Sequence, residues 1–154
     1  MLFRSVILGK IRPKNKTAVV IGSGMTGLET AEFLLQDGCD TTIIEMAPEI
    51  APGTWFQLVD DEMERLVPAG CKFMAGTKLL EIGDGSVAVE DVKTGTRSTI
   101  PAEAVVLSMG VRPIPDLEED LKARGLKVVR VGDAVKSGTI ANAVHSAYNT
   151  AVAL

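Results

Sequence analysis

The chain has little of what metal, disulfide or membrane chemistry requires. Its two cysteines, Cys39 and Cys71, form no CxxC pair, and His145 is its single histidine, so no cluster with metal-ligand spacing is present in the sequence and no metal site is expected. Each cysteine follows a glycine at the end of a helical segment and precedes an apolar run, the placement of a buried reduced thiol in a cytoplasmic protein. No apolar run approaches the roughly 20 residues of a membrane helix. The leading MLFRSVILGK has no small-residue cleavage site, so it is not read as a signal peptide. Positive charge is also short: 16 basic residues against 20 acidic ones leave a formal net charge of −4, which disfavours nucleic acid and anionic membranes as partners. The cluster Lys10, Arg12, Lys14 and Lys16 is read as a solvated connecting segment. Aromatic residues make up only 4% of the chain, so a core must come from Val, Ile, Leu and Ala, as in α/β proteins. At 154 residues the chain fits one ordinary domain.

What is present has an order. TAVVIG from Thr17 is a continuous apolar run stopped by glycine, the pattern of a parallel strand buried on both faces. A helix carrying Leu28, Ala31, Phe33, Leu34 and Leu35 follows, with Gly38 as its stop, and DTTIIE (Asp40 to Glu45) completes a strand, helix and strand in about 30 residues. Trp55 to Leu66 has helical spacing. CKFMAG, TKLLEIGDG, SVAVEDVKTG and TRSTIP then alternate in short runs between glycine turns, which predicts an antiparallel meander. EAVVLS (Glu103 to Ser108) returns to a parallel-type strand. A helix over Asp116 to Arg124, a strand over Lys127 to Val131 and a helix over Thr139 to Leu154 are expected to close the chain.

Gly22-Ser23-Gly24-Met25-Thr26-Gly27 stands between a buried strand and a helix, the context in which a GxGxxG spacing has physical meaning. Gly22 permits the tight turn, Gly24 lets the backbone approach a pyrophosphate, and Gly27 allows close helix–strand packing, while the helix N-terminus faces the anion. Glu45 ends the next strand about 20 residues on, where a carboxylate accepts hydrogen bonds from the adenosine ribose. It would repel the 2′-phosphate of NADP, and the following Met46, Ala47 and Pro48 offer no cation to attract one. The reading is NAD(H). A packing turn with a chance strand-end glutamate is the structural alternative.

The segments KTAVVIGSGMTGLETAEFL, TTIIE, AVVLSMGVRP and VRVGDAVKSGTIANAVHSAYNTA, in that order, resemble the C-terminal part of the NADH:flavin oxidoreductases, the relatives of 2,4-dienoyl-CoA reductase and 2-enoate reductase. The resemblance covers nearly the whole chain, from the leading SVILGK onward. It implies an α/β fold in three parts. Residues 1–16 would be a connector from an FAD half, 17–112 a Rossmann-like NAD(H) domain whose parallel sheet carries the GxGxxG unit and an antiparallel crossover, and 113–154 a strand–helix remnant of the returning FAD domain.

The resemblance also implies roles. Gly22, Ser23, Gly24, Met25, Thr26 and Gly27 would form the pyrophosphate loop, with Glu45 and Met46 at the ribose. Glu29 would be the acidic residue on the first helix turn near the nicotinamide, and Gly110 would lie close to the nucleotide. Gly132 and Asp133 would be the Gly-Asp of the flavin half, with Asp133 on the FAD ribitol. A first-turn acid favoured by the helix dipole remains open for Glu29, as does a plain capped turn for Gly132-Asp133. His145 is read as an ordinary helix residue. No catalytic residue is assigned.

The first GxGxxG of such enzymes, the FMN barrel and the cysteines of an iron–sulfur cluster have no counterpart in this sequence. The chain is therefore expected to be the NADH-holding piece of a larger enzyme, inactive alone, with the rest of the parent chain as its partner. Its C-terminal apolar face would be exposed or covered by self-association, and FAD would not be held stably. A regulatory or scaffold Rossmann module holding NAD or ADP without catalysis is the competing reading.

Overall fold

The computed structural model describes residues 5–6, 8–114 and 116–154; residues 1–4 of the leading connector, Ile7 within SVILGK, and Pro115 lie outside the described residues. The chain divides into two compact units, Met1–Gly110 and Val111–Leu154.

The first unit is organised by strand β1, Thr17–Ile21. Its side chains alternate between two faces, and both are buried. Ala18 and Val20 point into one core with Leu28, Ala31 and Leu34, while Val19 and Ile21 point into another with Ile44, Val87 and Val89. Helices cover the first face: α1, Met25–Gln36, and α2, Phe56–Leu66. A second sheet covers the other. A strand buried on both sides has no polar face to alternate with, which is why TAVVI reads as one apolar run.

The parallel sheet has the order β3-β2-β1-β7, with β2 at Asp40–Ile44, β3 at Lys72–Met74 and β7 at Ala104–Leu107. The three-stranded antiparallel sheet is β4-β5-β6, Thr77–Ile82, Ser86–Asp91 and Arg97–Pro101. The expected meander is therefore shorter than the sequence suggested. Its first run, CKFM, pairs in parallel with β2, Ile43 opposite Phe73, because α2 returns the chain to the open edge of that strand. A three-residue strand carries no periodicity that could tell the two pairings apart.

The described part of the leading segment is tied into this unit. Val6 is buried in the helix-side core, and Arg12 holds Asp37 through two hydrogen bonds of 3.0 Å. Lys16 pairs with Glu103.

The second unit contains α3, Asp116–Ala123, a 3-10 turn at Gly132–Ala134, and α4, Ile140–Val152. Thr139 and Asn142 form a reciprocal capping box at the start of α4. The strand expected over Lys127 to Val131 does not form: among the described residues no neighbouring strand pairs with it. A β pattern needs a partner's hydrogen bonds to become a ladder. Ile140, Val144, Tyr148 and Val152 recur every fourth residue along one side of α4, and each is more than half exposed.

Candidate functional site

In the parallel sheet the chain leaves β1 toward β2 and β3 on one side, while β7 lies on the other, so the carboxyl ends of β1 and β7 border a crevice at the point where the strand order reverses. Gly22 follows β1 directly and donates its N–H to the Ile44 carbonyl at 2.9 Å; Ser108 follows β7 and donates to the Ile21 carbonyl at 2.8 Å. The glycine loop and the Ser108–Gly110 turn therefore face each other.

The three glycines differ in what surrounds them. Gly22 has φ +98°, and a Cβ there would collide with the Ser108 carbonyl oxygen. A Cβ on Gly27 would collide with the carbonyl oxygen of Gly22. These two are required by the protein's own backbone. A Cβ on Gly24 would meet nothing within 4 Å. Gly24 is the N-cap of α1, with no side chain capping that end and no acidic residue in the first turn, where Met25 and Thr26 lie. The helix thus presents an uncapped, positive N-terminus to open space.

Glu45 closes the other end of the site. Its Oε2 accepts from the Ser23 N–H and the Ser23 hydroxyl, both at 2.9 Å, and its Oε1 accepts from the Ala47 N–H at 2.9 Å. Burial pushes this carboxyl up, but hydrogen bonds from Ala47, Ser23 and Met46 together outweigh it and hold it below the ordinary carboxylate range. Glu45 is therefore a carboxylate at neutral pH, aimed by its own loop.

Between these ends runs a cleft of about 460 Å³, within the size range of small-molecule sites. Gly22, Gly24, Glu45, Met46 and Gly110, all anticipated from the sequence, line it. So do Lys78, Leu79 and Met109, which sequence reasoning missed. Lys78 and Leu79 arrive through the Thr77 N–H, which donates to the Glu45 carbonyl at 2.7 Å and draws the start of β4 beside the acid, and Met109 arrives on the turn after β7. Only a register across the chain could have revealed that. Lys78, an exposed residue between the inward-facing Thr77 and Leu79, is the cationic residue bordering the cleft. Ser23 is fully buried beneath the loop rather than lining it.

The arrangement fits a dinucleotide: open space and an uncapped helix end for a pyrophosphate, apolar walls for adenosine, and a fixed carboxylate for a ribose diol. The sequence pattern of the pyridine nucleotide-disulphide oxidoreductase family matches residues 5–138. The chain belongs to this family. Members of the family use NAD(P)H and FAD. The chain is 35% identical over 152 residues to the NADH oxidase of Thermoanaerobacter brockii, covering 95% of this chain and 23% of that protein. It is 33% identical over 131 residues to the bilirubin reductase of Mediterraneibacter gnavus, covering 84% of this chain and 20% of that protein. The solved structure of 6-hydroxypseudooxynicotine amine oxidase from Pseudomonas geniculata N1 matches with a TM-score of 0.81 at 25% identity, over 97% of this chain and 23% of that one. The chain thus spans about a quarter or less of these relatives, which are oxidoreductases.

The remaining anticipated residues lie elsewhere. Glu29 is the fifth residue of α1, not part of its first turn, so the first-turn dipole explanation does not apply to it. It is exposed and close enough to Glu62 on α2 to raise that carboxyl. Gly132 and Asp133 belong to the second unit. Gly132 has φ +57° and lies against Ala143 of α4, its N–H donating to the Ser146 hydroxyl at 3.2 Å. Asp133 Oδ1 accepts from the Gly138 N–H at 3.2 Å, a turn-closing bond that leaves the carboxylate exposed. Gly132, Ser137 and Gly138 border a hollow of about 230 Å³ within that unit.

Proposed function

We propose that this chain holds NADH as the NAD(H)-binding part of a larger flavin-dependent enzyme of the NADH:flavin oxidoreductase type, akin to 2,4-dienoyl-CoA and 2-enoate reductases. The observation that carries this reading is the contrast among the glycines: Gly22 and Gly27 are filled by the protein's own backbone, whereas Gly24 opens onto the cleft that ends at Glu45. Backbone N–H groups at Met25 and Thr26 would hold the pyrophosphate, Glu45 the adenosine ribose, and Met46 and Leu79 the adenine. Gly110 would let the nucleotide pass close to the chain, and Glu29 would be the acid nearest the nicotinamide end. When bound, NADH supplies a hydride at its nicotinamide ring, and FAD would be the acceptor. The protein's part is orientation and the exclusion of competing reactions.

In the second unit, Gly132 and Asp133 would meet the ribitol of FAD in the complete enzyme. The exposed stripe of α4 would be covered there by the rest of the parent protein, or by a second copy when the chain is alone. An FMN barrel and an iron–sulfur cluster would belong to the remainder of the enzyme, and this chain alone would bind NADH without turnover.

Lys78 favours a second reading, in which the cleft also accepts the 2′-phosphate of NADPH. Calorimetric titration of the chain with NADH, NADPH and ADP separates these. NADH is expected to bind more tightly than both others. Equal affinity for NADPH would hand the decision to Lys78 over Glu45, and equal affinity for ADP would leave the nicotinamide half without a site.

A further inference from the structure

Ser23 lies at the centre of a clasp that binding of a dinucleotide does not by itself require. Its side chain is fully buried, yet the next residue, Gly24, opens to the cleft. A serine hydroxyl has one proton to give and lone pairs to accept with. Here the proton goes to Glu45 Oε2 at 2.9 Å, and the oxygen accepts the Ala51 N–H at 2.8 Å. The Ser23 N–H reaches the same carboxylate oxygen, and the Ala47 N–H holds the other. Ala51 is itself unusual: a buried non-glycine residue with φ +54°, a left-handed conformation that alanine adopts only when its surroundings hold it there. The hydroxyl thus joins three segments: the glycine loop, the strand-end acid, and the loop from Met46 to Thr54.

We infer that Ser23 is a positioning residue that sets coenzyme choice by locking the Glu45 carboxylate in place. This rests on the NADH reading above. With Oε2 taken by both Ser23 donors, the carboxylate is held in one orientation in which Oε1 would accept a ribose hydroxyl, so little side-chain freedom is lost when the nucleotide arrives. It also cannot swing aside to admit a 2′-phosphate, which Lys78 in the same cleft would otherwise attract. Without the hydroxyl, Glu45 keeps only the Ser23 and Ala47 N–H bonds and the buried Ala51 N–H loses its acceptor, so the acid is held less firmly and the following loop loses its tie to it.

A double-mutant cycle tests this on the 154-residue chain, with NADH and NADPH affinities measured by calorimetry and folding checked by thermal melting. Ser23→Ala is expected to weaken NADH about tenfold and to leave NADPH unchanged or tighter, so the preference for NADH falls by at least about tenfold. Ser23→Gly, smaller still, is expected to do the same and serves if the alanine variant does not fold. In a Glu45→Ala background, Ser23→Ala is expected to change the preference no further, because its effect acts through the acid. The same loss in that background would overturn the inference, as would an unchanged preference in both Ser23 variants. If the unaltered chain takes up neither coenzyme, the NADH reading falls and the role of Ser23 falls with it; if it takes up NADH and the preference survives, only the role of Ser23 falls.

Discussion

The two units of this chain carry apolar periodicity of similar strength and use it differently. In Met1–Gly110, β1 buries one face against helices and the other against an antiparallel sheet, and Leu28, Leu34, Ile43 and Val106 are sealed from solvent. In Val111–Leu154, neither helix contains a buried residue, and the Ile140–Val152 stripe stays open. Apolar spacing creates a face; only a partner layer turns that face into a core. The first unit contains its own partners. The second, on the reading proposed above, is completed by chain that lies outside these 154 residues.

Three experiments would break or sharpen this contrast. The largest effect is expected within the first unit. Leu34→Ala removes a fully buried side chain and should cost about 2–5 kcal/mol by denaturant unfolding, while Val144→Ala on the open stripe should change stability by less than about 0.5 kcal/mol. Equal costs at the two positions would mean that the stripe of α4 is covered even in the isolated chain.

The second experiment carries the contrast into the glycine loop. Gly27→Ala should destabilise the fold, since its Cβ would meet the Gly22 carbonyl oxygen, whereas Gly24→Ala should leave the melting temperature unchanged and weaken NADH at least about tenfold. Retained NADH affinity in the Gly24 variant would remove the pyrophosphate from this loop.

The smallest effect concerns two carboxylates of the first unit that are shifted in opposite directions. Glu45 lies below its ordinary value, so the stability it contributes is fully present above the ordinary carboxylate range and is lost as pH falls through that range toward its lowered folded value. Glu62 is pushed up by burial, against the attraction of Arg65, and one of its oxygens has no hydrogen-bond partner. Its destabilising effect is present at neutral pH and is relieved as pH falls through its raised value. Glu62→Gln should therefore stabilise the chain slightly at neutral pH and flatten its response in mildly acidic solution, whereas Glu45→Gln should weaken NADH binding near neutral pH. A matched pair of melting curves and titrations across pH 4 to 7, roughly the carboxylate range and above, would show the opposite signs.

Much of the site was legible because its parts are local. Gly22, Gly24 and Gly27 stand at a fixed spacing between an apolar run and a helix, and Glu45 ends the next apolar run, so strand, loop, helix and acid follow from neighbouring residues. The clasp of Ser23 on Ala51 and the arrival of Lys78 and Leu79 beside Glu45 were not legible. They depend on hydrogen bonds between segments far apart in the chain, the Ala51 N–H to Ser23 and the Thr77 N–H to Glu45. The same limit explains the two misplaced strands. CKFM alternates too briefly to choose between a meander and the edge of β2, and KVVRV has strand composition without a strand to pair with.

By itself the sequence determined which residues can turn where an ordinary side chain cannot, where helices stop, and where apolar runs require burial, because those properties reside in single residues and their immediate neighbours. The tertiary structure alone decided which carboxylate oxygens are already occupied, which glycine faces open space rather than backbone, and which apolar face has found its cover. Those outcomes depend on pairings between distant segments, whose geometry no local pattern encodes.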